Sequence, residues 1–256
     1  MEIFHAIIQG IVEGISEFLP ISSTGHLILS AKLLGILDTN FQRSFDIIIQ
    51  LGAILAVVVL YGRKFLLDFQ TLKKILAAFI PTAIIGLIFY KTIKHMLGSP
   101  AIVVWSLLIG GIFMIIFERW HKNKSASTAS ISEITFRQAV IIGCIQSVSM
   151  IPGVSRSAAT IFGGMFLGLN RIAAVEFSFL LAVPTMMAAT GLDLLKNYKS
   201  FSMENFGILG VGFLTSFVVA LIAIQFLMSF IHKNDFTGFG IYRIVIALIF
   251  LLVIGV

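Results

Sequence analysis

Long apolar runs set the outer limit on what this chain can fold into. They cover residues 45–61, 75–93, 101–117, 172–195, 206–231 and 240–256, each near or beyond the ~18 residues that mark a membrane-crossing helix. In hydrocarbon a backbone must satisfy its own hydrogen bonds, and a helix does so within one segment. Composition agrees: 58% of the chain is hydrophobic and 12% charged, against about 25% charged in a soluble domain. The sequence therefore predicts an all-α polytopic membrane protein with six spans. A net charge of +6 would suggest nucleic acid as the partner of a soluble protein. Here the lysines and arginines fall in short loops, where they meet anionic headgroups, and no nucleic-acid partner is expected. The single cysteine, Cys144, excludes an intramolecular disulfide and reads as a small core residue. No cleavable signal peptide is expected, because Glu13 and Glu17 interrupt the first apolar stretch and no basic segment precedes it.

Two further apolar stretches, 3–19 and 139–151, are short or carry carboxylates. Each runs into a proline and serine break, Pro20-Ile21-Ser22-Ser23 and Pro152-Gly153-Val154-Ser155, and then into another short apolar stretch. Interrupted hydrophobic segments in corresponding places of two halves point to discontinuous helices. One ungapped shift lays Pro20 on Pro152, Ser23 on Ser155 and Phe45 on Phe177. Each half then holds a re-entrant helical hairpin plus three spans. Three is odd, so the second half enters from the opposite side, an inverted-topology repeat. The boundaries are 1–118 and 136–256, joined by a polar linker at 119–135 within a single membrane domain. Arg63, Lys64, Lys73, Lys74, Arg119, Lys122, Lys124 and Arg137 outnumber Lys91, Lys94, Lys196 and Lys199 on the other side. The positive-inside bias puts the larger set in the cytoplasm and both termini outside.

Glu13 and Glu17 stand one helical turn apart and share a face. A carboxylate in a membrane segment costs about 3 kcal/mol on insertion scales and is functional by default. The pair reads as a general base or as ligands of a divalent cation; the plainer alternative is an interfacial helix with a wet acidic face. Ser22 or Ser23 is a candidate N-cap, placing hydroxyls and free N–H groups at a helix start, which suits phosphate; ordinary capping is the plainer alternative. Thr24 follows, and His26 lies within reach of the same ligand. In the second half Ser155, Arg156, Ser157 and Thr160 begin a helix after Pro152 and Gly153. The fork of Arg156 fits phosphate oxygens, or else pairs with Glu13, Glu17 or Glu176. If the breaks meet, charge neutralisation, a nucleophile and a base come together, as cleavage of a phosphoric anhydride requires. Glu17 would deprotonate Ser23 or water, and His26 would protonate the leaving oxygen or orient the serine.

EGISEFLPISSTGHLIL (13–29) and PGVSRSAATI (152–161) resemble the two signature motifs of bacterial undecaprenyl-diphosphate phosphatases of the bacitracin-resistance type. FDIIIQLGAILAVVV and EFSFLLAVPTMMAATGLDL resemble that family too, and the likeness is weakest in the linker. The resemblance implies hydrolysis of undecaprenyl diphosphate to the monophosphate carrier of cell-wall synthesis. It also implies an enzyme of the bacterial inner membrane with inverted repeats, a divalent-cation dependence (Mg or Ca), and a site open to the outer face. Carried over, the catalytic residues are Ser23, Glu17, Glu13 and His26. The substrate-binding residues are Arg156, Ser22, Thr24, Ser155 and Thr160, with Glu13 and Glu17 as metal ligands. Ser16 stands where the family often has Thr. The alternative function is a secondary transporter or flippase for a lipid phosphate, for which inverted repeats are equally expected; a membrane serine protease lacks a triad partner beyond His26. Gln50, Glu176 and Asp193 are polar residues within spans, as readily structural as functional. His5, His95, His121 and His232 read as interfacial, and Gly163, Gly164 and Gly168 as close helix packing. Nothing in the motifs fixes an oligomeric state.

Overall fold

Two short helices and then longer ones: this order recurs in both halves of the chain. In the computed structural model, which describes residues 1–37, 39–96, 99–122, 128, 130–197 and 206–254, the first half holds α1 (Ile3–Ser16), α2 (Ser23–Leu33), α3 (Asn40–Leu67), α4 (Phe69–Ile88), the short α5 (Tyr90–Met96) and α6 (Pro100–His121). The second holds α7 (Phe136–Gln146), α8 (Arg156–Phe166), α9 (Arg171–Asn197), α10 (Phe206–Ile231) and α11 (Thr237–Ile254). Among the described residues, five helices are long and apolar enough to cross a membrane: Phe41–Gly62, Phe69–Ile88, Pro100–His121, Arg171–Leu192 and Phe206–Ile231. The chain is an all-α, multi-pass membrane protein. The sixth expected span, 240–256, is represented by a shorter apolar helix, Thr237–Leu252, and residues 255–256 lie outside the described set.

Hydropathy misplaced several helix starts and several helix ends. Thr39 caps α3 by accepting from Gln42 N at 3.1 Å, so the helix begins before Phe45. Asp68 accepts from Gln70 N at 3.1 Å and Thr71 N at 3.2 Å, so α4 starts at Phe69 instead of residue 75. It ends at Ile88, and Tyr90–Met96 forms a separate turn of helix rather than completing the expected 75–93 span. α6 runs on to His121, into the expected linker, because Glu118 is held inside by Arg171 Nε at 3.3 Å and by Phe236 N at 3.1 Å. Thr128 pairs with the turn after α8, donating to Gly168 O at 3.1 Å. Linker residues 123–127 and 129 lie outside the described residues. So do Lys124 and Lys199, and the side chains of Arg63, Lys64, Lys94, Asp193 and Lys196.

Two single-residue expectations change. Cys144 is exposed, not core: the buried face of α7 is Ala139, Ile142, Gly143 and Gln146, a helical stripe that Cys144 falls beside. His121 is buried rather than interfacial, with its ring stacked on Phe117 at 5.4 Å.

The pairings repeat as well. α1 packs on α10 as α7 packs on α4; α3 meets α10 as α9 meets α4; α3 also meets α9, and α6 meets α11. Without water between helices, association rests on close van der Waals contact at small residues. A Cβ at Gly14 would stand 2.7 Å from Ser216 O on α10, and one at Gly111 would stand 2.6 Å from Gly240 O on α11. Gly163 and Gly164 pack in the same way on Ile145 and Ala174, as expected. Outward faces are apolar, for example Ile109, Ile112, Phe113 and Ile116 on α6 and Leu214, Val218, Ile222 and Phe226 on α10. Beneath the two breaks, Phe18 meets Phe179 edge-on at 5.4 Å, joining the end of α1 to α9.

Candidate active site

The two breaks lie against each other. α1 stops at Ser16, Pro20 prevents its continuation, and α2 begins at Ser23. Between them Ser22 has φ 73° and ψ 96°, the one positive φ at a non-glycine among the described residues. Such a conformation costs on the order of 1–3 kcal/mol and persists where surrounding contacts impose it. Ser22 occupies the N-cap position of α2, but its side chain makes no capping bond there, unlike the cap expected from sequence. The second break follows the expectation. Ser155 caps α8, its Oγ accepting from Ala158 N at 3.1 Å.

Across the breaks, Ser23 Oγ donates to Glu17 Oε2 at 2.6 Å. The other oxygen of that carboxylate, Oε1, accepts from Arg156 Nη2 at 3.4 Å. Arg156 Nη1 donates to Ser178 O at 3.1 Å, and its Nε, though buried, has no partner. One carboxylate thus joins a hydroxyl to a guanidinium that still has a donor unspent. Ser155 and Ser157 lie 2.9 Å apart, and Ser157 Oγ donates to Leu19 O at 2.8 Å, tying the second break to the first.

These groups stand at the polar end of a cavity of about 570 Å³. Glu17, Ser22, Ser23, Thr24, Ser155 and Arg156 line that end, and Gln50 also contributes. The remainder is lined mainly by apolar residues of α4 and α9, including Phe79, Ala83, Leu87, Met186 and Leu192, with Met150 between them.

Three expected site residues stand elsewhere. Glu13 lies one turn behind Glu17, completely buried and off the cavity wall, with neither carboxylate oxygen hydrogen-bonded. His26 faces away from Ser23: Nδ1 donates to Ser22 O at 2.8 Å, and Nε2 bonds the Tyr242 hydroxyl at 2.8 Å, with the two rings stacked 5.5 Å apart. Thr160 is buried behind Arg156, its Oγ1 3.0 Å from the Arg156 carbonyl and 2.6 Å from Ser178 Oγ. Glu176 does not line the cavity. Among the described residues no group of three or more His, Cys, Asp or Glu side chains is arranged around a metal position.

Sequence reading passed over Ser178, Tyr242 and Arg243, and gave Ser157 no role. For Arg243 a signal existed, since it is the one charged residue in Thr237–Ile254. It is buried, with its guanidinium on four backbone carbonyls, those of Leu107, Pro20, Ser106 and Gly153.

The family of the bacitracin resistance protein BacA matches residues 6–249. The chain belongs to the BacA family. Its relatives include an undecaprenyl-diphosphatase of Aquifex aeolicus, 52% identical over 248 residues and covering 96% of each chain. Another, from a Sulfurihydrogenibium species, is 52% identical over 252 residues, 98% of this chain and 99% of the relative. The undecaprenyl-diphosphatase of Wolinella succinogenes is 50% identical over 251 residues, 98% of each. The likeness to BacA thus runs through both breaks and every helix that builds the cavity.

Proposed function

We propose a reaction course for this chain as an undecaprenyl-diphosphatase, the activity for which its full-length relatives are named. The observation that carries the course is the Glu17 carboxylate shared between Ser23 Oγ and Arg156 Nη2 at the polar end of an apolar cavity. The diphosphate head of undecaprenyl diphosphate enters that end, and part of its prenyl chain lies between α4 and α9. Arg156 turns to the terminal phosphate with its unspent Nε, and the hydroxyls of Ser22, Thr24 and Ser155 supply further contacts. Ser23 Oγ attacks the terminal phosphorus while its proton passes to Glu17. The anhydride P–O bond breaks, and undecaprenyl monophosphate leaves with the electron pair. Glu17 passes that proton to the departing monophosphate and is a carboxylate again. Water then attacks the phosphoserine, Glu17 takes the water proton and returns it to Ser23 Oγ as the Oγ–P bond breaks, and inorganic phosphate departs. The gain lies in preorganised positive charge facing the phosphoryl oxygens. His26 acts by holding the twisted Ser22, and Thr160 by supporting Arg156 from behind.

Glu13 and Glu17 offer hard oxygen ligands of the kind Mg²⁺ or Ca²⁺ prefers, and the two unbonded oxygens of buried Glu13 fit such an ion. A bound cation would add charge neutralisation at the phosphates.

The membrane arrangement extends the same proposal. The short pairs α1/α2 and α7/α8 are re-entrant hairpins, α11 is the sixth span, and the halves are inverted repeats; the exchanged pairings α1 with α10 and α7 with α4 support this. The charge bias of the loops favours termini and site opening on the outer face of the bacterial inner membrane, where the enzyme returns the carrier lipid to cell-wall synthesis.

The test is phosphate release from undecaprenyl diphosphate by purified protein in detergent. Wild type turns over, while Ser23→Ala and Arg156→Ala each fall by about 10²–10³-fold or more as folded proteins. Full activity in Ser23→Ala removes the nucleophile, and full activity in Arg156→Ala removes the phosphate clamp.

A further inference from the structure

The last helix carries a cation that the reaction course does not use. Arg243 on α11 is 1% exposed. Its Nε donates to Leu107 O at 3.3 Å and Nη1 to Pro20 O at 3.4 Å, while Nη2 donates to Ser106 O and Gly153 O, both at 2.9 Å. A guanidinium has five donors and no acceptor, and here it serves backbone oxygens only. A buried charge is expensive, so an arginine spent on carbonyls calls for a reason beyond filling space.

The four carbonyls supply it. Pro20 and Gly153 belong to the two corresponding breaks, where proline and a glycine at φ +88° interrupt the helical ladder and leave carbonyls in need of donors. Leu107 and Ser106 belong to α6, a long helix that stays outside both breaks. Ser23 follows Pro20 by three residues, and Arg156 follows Gly153 by the same interval. One rigid fork therefore ties both loops to one helix, and the distance between the loops sets the distance from nucleophile to phosphate clamp. α6 makes room for the fork: a Cβ at Gly110 would stand 2.8 Å from Arg243 Cζ. The residue before it, Tyr242, meets His26 on the far side of the first break, so α11 touches that break twice.

We infer that Arg243 is a positioning residue for hydrolysis, holding Ser23 and Arg156 in register by clamping the Pro20 and Gly153 carbonyls to α6. This rests on the hydrolytic reading of Ser23, Glu17 and Arg156, since the register matters only to a reaction between the two breaks. Arg243 touches no substrate. Its effect falls on kcat, because positioning is realised in the transition state, while the prenyl chain and Arg156 keep ground-state binding.

The experiment compares wild type with Arg243→Lys, Arg243→Met and Gly110→Ala, each purified in detergent. It reads kcat and KM for undecaprenyl diphosphate per folded molecule, together with the thermal unfolding midpoint. In Arg243→Lys a single ammonium cannot span four carbonyls; kcat falls by about tenfold or more while KM stays within about threefold, on the scale of small misplacements in an active site. Arg243→Met falls further. Gly110→Ala keeps the arginine but displaces it, and reproduces the same split even if the Met variant does not fold. A purely structural role gives the opposite pattern, a lowered midpoint with wild-type kcat in the molecules that remain folded, and overturns the inference. Ser23→Ala in the same assay separates the two ideas. An inactive Ser23→Ala beside unimpaired Arg243→Lys and Gly110→Ala sinks the positioning role alone, whereas an active Ser23→Ala sinks the hydrolytic reading beneath it.

Discussion

Replacing Glu17 by glutamine removes the base, together with the charge that faces Arg156. The amide has the size and shape of the carboxylate, so it can still accept from Ser23 Oγ, now 2.6 Å from Glu17 Oε2. What it cannot do is take the proton as the O–P bond forms. General-base catalysis contributes about 10²–10⁴-fold, or roughly 2.7–5.4 kcal/mol of barrier. The substitution also leaves Arg156 without its carboxylate. Breaking a well-formed buried pair costs about 3–5 kcal/mol of stability; at 3.4 Å this pair is longer than the ~2.7–2.9 Å of a strong one, and Arg156 keeps Ser178 O at 3.1 Å, so the loss falls at the low end of that range. Initial rates of phosphate release at saturating undecaprenyl diphosphate, on monodisperse protein, give kcat directly. Glu17→Gln is expected to lose 10²–10⁴-fold in kcat with KM near wild type. A kcat within fivefold of wild type, in an assay where Ser23→Ala is inactive, refutes the reasoning, because the serine proton would then leave by another path.

Other consequences are as direct. Arg156→Lys keeps the charge and loses the fork, so kcat/KM for undecaprenyl diphosphate drops by about 10–100-fold, the scale of one strong charge-assisted bond. Gly143→Ala drives a methyl into the Ala78 backbone where α7 meets α4; detergent unfolding is expected to show destabilisation at or above the upper end of the ~1–3 kcal/mol typical of overpacking. Asp68 caps α4, and hydrogen bonds from the Thr71 side chain, then the Thr71 and Gln70 N–H groups, hold its carboxyl below the usual aspartate range. A depressed carboxyl stabilises above its unfolded value of ~3.9 and loses that contribution as pH falls through the folded value. Thermal scans of wild type and Asp68→Asn should therefore differ at pH 6 and draw together as pH falls below the usual aspartate range, and a gap that does not change with pH would contradict the cap.

Hydrophobic length made most of the membrane helices readable, since few other structures tolerate such runs. Their ends were not readable in the same way. Asp68 and Thr39 start helices through local bonds to N–H groups two or three residues on, a signal that hydropathy averages away. Glu17, Ser23 and Arg156 stood out because polar groups beside chain breaks in apolar surroundings need partners, and each partner proved to be another of the three. His26 and Thr160 share those motifs, yet motif membership does not say which way a side chain turns. Tyr242 bonds one imidazole nitrogen of His26, and Ser178 takes Thr160; both partners lie outside the motif they serve. Arg243 carried the same charge signal as Arg156 but without a break beside it. Only the folded chain brings Pro20 and Gly153 to its guanidinium.

The central claim is that the diphosphate reacts between the two breaks. A structure of the protein with a polyprenyl methylenebisphosphonate, whose P–C–P bridge cannot be hydrolysed, tests it most directly. The account predicts the terminal phosphorus in line with Ser23 Oγ, with phosphonate oxygens on the Arg156 guanidinium and the prenyl chain running between α4 and α9. A headgroup bound away from Ser23 and Arg156, with the chain outside that cavity, would contradict it.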